Sequence, residues 1–88
     1  MSTYTEFEIT WFDSADGSSG LQKYRWSWQK CPLQGDQHIV VEADTDDGEW
    51  SFEEGLNDKR ELSRWVKGKI KQSQDEHDFW EADQAELA

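Results

Sequence analysis

The chain has 88 residues, which suffices for one hydrophobic core and leaves no room for a second, so a single domain is expected. Only 34% of the residues are apolar and the formal charge is −11, close to the composition at which chains stay unfolded, but six Trp, four Phe and two Tyr oppose that outcome. Each ring can bury roughly 150–250 Å², so a few of them replace many aliphatic side chains. The negative charge disfavours nucleic acid and anionic membrane as direct partners and favours a basic protein surface. A lone Cys31 allows no intrachain disulfide. "MSTYTEFEIT" shows no basic segment followed by an apolar run, and no stretch approaches the roughly 20 apolar residues of a membrane span; a cytoplasmic protein is the expectation.

In chain order, "YTEFEITWF" (4–12) alternates, placing Phe7, Ile9 and Trp11 on one face and Glu6, Glu8 and Thr10 on the other, the mark of a half-buried strand. "DSADGSSG" (13–20) is turn chemistry. "LQKYRWSWQK" (21–30) predicts a second strand with Tyr24, Trp26 and Trp28 inward, ended by Cys31 and Pro32 because Pro lacks an N–H for the ladder. "HIVVEA" (38–43) predicts a third, with Ile39, Val41 and Ala43 on one face. "EWSFE" (49–53) predicts a fourth, Trp50 and Phe52 inward and Glu49, Ser51 and Glu53 outward, with the Asp47-Gly48 hairpin signal between strands three and four. Glu6, Glu8, Lys23, Arg25, Ser51 and Glu53 then form a wet outer sheet face.

From residue 58 the apolar period changes: Leu62, Trp65, Val66 and Ile70 mark an amphipathic helix over 58–72, with Asp58 and Glu61 as its capping pair. "SQDE" (73–76) resembles a second capping box, so 73–88 is either a second short helix or an acidic continuation. The simplest assembly is a small two-layer α+β domain: a four-stranded antiparallel sheet of two hairpins (4–54) packed by one or two C-terminal helices.

Charge is sorted along the chain. Residues 41–55, "VEADTDDGEWSFEEG", hold seven acids and no Lys or Arg; 59–71 hold Lys59, Arg60, Arg64, Lys67, Lys69 and Lys71 against Glu61 alone; 75–86 hold six acids and no base. Arg60, Arg64, Lys67 and Lys71 form a stripe opposite the apolar one, for which a solvated helix face is favoured over a nucleic-acid contact.

No chemical motif emerges. "DTDDG" resembles an EF-hand start, but aligning Gly48 to the loop's glycine puts Ala43 and Thr45 where oxygen ligands are needed. His38, His77 and Cys31 lack the spacing of a transition-metal site. Gly17 and Gly20 are followed by no Lys-Ser/Thr, which excludes a P-loop. Paired carboxylates carry little information in a chain with twenty acids. The expectation is a non-enzymatic protein without metal or cofactor that presents Glu42, Asp44, Asp46, Asp47, Glu49, Glu53, Glu54, Asp75, Glu76, Asp78 and Trp80 to a basic partner. Phe79 and Trp80 point to different sides of a helix, so that one of them is available as an interface anchor. In size and charge the chain is similar in type to phage and plasmid inhibitors that imitate DNA, the anti-restriction and anti-CRISPR proteins, although no family motif is matched. The competing expectation is a small structural or regulatory subunit, homodimeric through a strand edge or the Trp80 tail, whose charge serves solubility.

Overall fold

The computed structural model describes residues 3–30 and 35–87, so the strand-ending role read for Cys31 and Pro32 lies outside the described residues. Four strands, β1 (Thr5–Phe12), β2 (Ser19–Lys30), β3 (Gln37–Asp44) and β4 (Trp50–Leu56), form an antiparallel sheet in order β1-β2-β3-β4. One helix, α1 (Lys59–Leu87), packs on one face of it. The fold is the expected two-layer α+β arrangement, and of the two alternatives for 73–88 the helix runs on, 29 residues without a break.

Both hairpins close as their turn residues dictate. In the first, Asp13 Oδ1 accepts from Ala15 N–H, Asp16 Oδ1 accepts from Ser18 N–H, and Gly17 takes the left-handed φ of 76°. The two Ser18 hydrogen bonds hold the Asp16 carboxyl below its ordinary pKa. In the second, Gly48 N–H donates to the Thr45 carbonyl and Thr45 N–H to the Glu49 carbonyl, with Gly48 at φ 81°. That is a three-residue loop, a type I turn closed by a left-handed glycine, which leaves Asp46 and Asp47 at its tip.

Helix α1 starts at the capping pair read from the sequence. Asp58 Oδ1 accepts from Glu61 N–H at 2.9 Å, while the Glu61 carboxylate accepts from Asn57 N–H at 2.6 Å. Two orphan donors are thereby satisfied, and an acid stands at the positive end of the helix dipole.

The core lies between the helix and the middle of the sheet: Ile9, Tyr24, Ile39, Val41, Ala43 and Leu56 meet Leu62, with Phe7, Trp26, Trp65 and Val66 around them. Phe7 stacks on Tyr24 at 5.5 Å and Trp65 meets Tyr24 edge-on at 5.4 Å, the offset and T-shaped geometries that ring quadrupoles favour. Burial and the nearby Glu53 carboxylate raise the Tyr24 phenol above its usual pKa.

The sheet faces differ from the expectation on one point. A register shift between Val41 and Glu42 sets Glu54 opposite Val41 and Phe52 opposite Glu42, leaving Glu53 as an extra residue. This bulge inverts the alternation beyond it, so Trp50 and Phe52 stand on the face away from the helix and Ser51 on the helix side. Trp28 keeps its predicted face, but at 42% exposure it lies beyond the reach of the helix, and Trp26 is half-buried. The outer face is therefore partly aromatic. Arg25 stacks on Tyr4 at 3.9 Å and on Trp50 at 4.4 Å while its Nε donates to Glu42 at 3.2 Å, and Ser27 and Val40 are buried on the same side.

Candidate functional site

Strand direction collects the acidic segments at one end of the molecule. The β1–β2 and β3–β4 turns lie at the same end of the sheet, because the ends of β1 and β3 and the starts of β2 and β4 fall there. Helix α1 begins beside the end of β4 and runs back toward those turns, until Trp80 rests on Gly17. Its first cations, Lys59, Arg60 and Arg64, thus lie toward the far end, Lys69 reaches the groove beside Trp11 and Asp13, and its acids are carried to the near end. Asp13 and Asp16 of the first turn, Asp44, Asp46, Asp47 and Glu49 of the second, and the six acids of 75–86 make twelve carboxylates at this end. The contribution of Asp13 and Asp16 escaped the sequence reading. Both were legible as turn residues; their proximity to the helix tail was not.

The predicted residues differ in availability. Asp46, Asp47 and Glu49 are fully presented on the short loop, Asp44 is half-buried at its base, and Glu53 and Glu54 are exposed on the β4 edge. Gln22 Nε2 donates to the Asp44 carbonyl at 2.8 Å, tying the loop's base to β2. Glu42 is neutralised by Arg25 in a half-buried pair and is held inside the fold.

On the helix, Asp75 and Asp78 face outward, and Glu76 is half-buried against the sheet. Trp80 is committed to the fold: it packs edge-on to Phe12 at 5.8 Å and against Gly17, while Phe79 is 67% exposed. Of the two adjacent rings, the free one is Phe79.

A Cβ on Gly17 would stand 2.8 Å from the Trp80 ring, and φ at this position suits glycine alone. Gly17→Ala is accordingly expected to cost about 1–3 kcal/mol, by left-handed strain plus displacement of the indole. Chemical denaturation reads the loss, and hydrogen exchange should show faster opening over 76–87; unchanged protection there would refute the tail's dependence on this contact.

Two grooves open between the helix and β1, one on each flank. One, about 570 Å³, lies between Glu8, Ile9, Phe12 and Ile70, His77, Asp78; the other, about 340 Å³, lies between Trp11, Tyr24 and Lys69, Glu76. Ile70, read as a core position, is 43% exposed along the first of them. His77 stacks edge-on to Phe12 at 4.9 Å and reaches Glu81 at 3.4 Å. With Asp78 these groups could surround a cation, but all three are exposed.

No helix among the described residues is long and apolar enough to cross a membrane. No protein-family model, curated protein or solved structure matches the chain.

Proposed function

We propose that this chain is a non-enzymatic binding protein that docks carboxylates onto the basic surface of a partner protein. The observation that carries the reading is the gathering of twelve acids at one end, toward which α1 runs from its basic first turns. The β3–β4 hairpin is the working element. Asp46 and Asp47 sit on a loop of three residues, flanked by Asp44 and Glu49, fixed by two backbone hydrogen bonds and by Thr45 Oγ1 donating to the Glu49 carbonyl at 2.7 Å, so little ordering entropy is lost on contact.

The partner class that fits this pattern best is a nucleic-acid-binding enzyme or complex, with the acidic end standing in for a phosphate backbone. Twelve phosphates of a duplex occupy about 20 Å of its axis, a span comparable with the width of this domain, whose lesser extents are 29 and 19 Å. An inhibitor of the anti-restriction or anti-CRISPR type works in this way. The reading is tested by immobilising the protein, capturing partners from cell extract and eluting with salt. The expected partner is a nucleic-acid-binding protein whose affinity falls about tenfold or more between roughly 50 and 200 mM salt, and which duplex DNA displaces. A partner held equally well at both salt concentrations would leave the carboxylate mechanism without support.

A further inference from the structure

We propose that a second copy of this chain docks antiparallel along the outward stripe of α1. Arg60, Arg64, Lys67, Lys71, Asp75, Asp78 and Ala82 follow one another on the helix face opposite Leu62, Val66, Ser73 and Trp80, and every one of the seven is exposed. Among the described residues none of the cations on this stripe pairs with a carboxylate, and the ion pairs of the helix itself involve only His77. The stripe is basic in its first half and acidic in its second.

That order runs against the helix dipole, which favours acids at the N-terminus and bases at the C-terminus. The first turn has only Glu61 as an acid and the last turn contains no base. Beyond Trp80 the residues from Glu81 to Glu86 are exposed without exception, so the acidic end of a helix about 43 Å long receives little support from its own sheet. An antiparallel copy relieves both conflicts together. Its cations come alongside the unsupported acids, its acids alongside the unpaired cations, and the two helix dipoles oppose each other.

The register follows from the charges. With the twofold axis near Ser73, Lys71 of each copy faces Asp75 of the other, Lys67 comes level with Asp78, and Arg60 with Glu86. The same axis brings Phe79 of one copy level with Gly68 of the other, on the same flank of the pair. Phe79 is 67% exposed, and nothing lies within 4 Å of where a Gly68 side chain would begin, so the ring meets an open notch. This inference goes beyond the carboxylate-docking reading and draws on it only for the helix acids Asp75, Asp78 and Glu86. The hairpin acids stay free and are displayed twice in the assembly.

Sedimentation of the full chain at about 100 µM tests the pairing, with helicity and tryptophan emission used to verify the fold of each variant. At low salt the wild type is expected at twice its 10.3 kDa chain mass, moving toward the monomer in about 0.5 M salt. Lys67→Glu with Lys71→Glu, and separately Asp75→Lys with Asp78→Lys, should each weaken the dimer about tenfold or more, by setting like charges face to face. An equimolar mixture of these two variants should recover it, because each then meets the opposite sign. Phe79→Ser should weaken association at low and high salt alike. A wild type that is monomeric at low salt, swapped variants that pair as well as the wild type, or a mixture that fails to recover would overturn the proposal.

Discussion

Ile39→Ala is expected to remove about 2–5 kcal/mol of stability, a large share of the roughly 5–10 kcal/mol available to a domain of this size. Ile39 is fully buried on the central strand β3, opposite Trp28 on one neighbour and Leu56 on the other. The core around it is small: seven buried residues and four half-buried ones, four of the eleven aromatic. Large rings fill space well but reorient poorly into the gap left by three missing carbons, so the cavity will collapse only in part. A denaturant titration measures the loss through its midpoint. A cost below about 1 kcal/mol would mean that the helix–sheet interface is looser than its geometry indicates.

The second large effect concerns binding. Replacing Asp44, Asp46 and Asp47 together by Asn should lower affinity for the captured partner by about 100-fold or more, since close interfacial charge pairs couple by about 1.5 kcal/mol or more each. Stability should stay within about 0.5 kcal/mol, because among the described residues these three carboxylates accept no hydrogen bond and they stand at or beside a loop. Asp75→Asn with Asp78→Asn removes charge from the same end without touching the hairpin, and should change partner affinity only about threefold through the weakened long-range field. If the helix variant proves the more damaging, the hairpin is not the working element. The hairpin variant should also leave the proposed self-association intact, which separates a failed docking site from a failed dimer.

Much of the architecture was legible in local pattern. Period-two alternation located the four strands, the change to a helical period at residue 58 located α1, and the Asp58 and Glu61 cap and the two glycine-bearing turns emerged where their chemistry placed them. Helix continuity through 73–76 could not be decided, because "SQDE" serves equally as a cap and as four ordinary helical residues. Trp50 and Phe52 were assigned inward because alternation was assumed to continue, and a single extra residue at Glu53 reversed them. A bulge of that kind leaves no local signature, since it is set by how β4 matches β3.

The candidate site divides in the same way. The sequence by itself determined that charge is sorted into acidic and basic blocks and that a tight acidic loop joins β3 to β4. Tertiary structure decided which carboxylates are free: Glu42 is neutralised by Arg25 from the neighbouring strand, whereas Asp46 and Asp47 are not. It also decided that Trp80 belongs to the fold and Phe79 to the surface, because Gly17, sixty-three positions earlier, has no side chain to keep the indole from resting there beside Phe12. The reason is common to all these cases. Periodicity, capping and turn preference act between residues a few positions apart, while pairing of charges, strand register and ring packing act between residues that meet only once the chain has closed on itself.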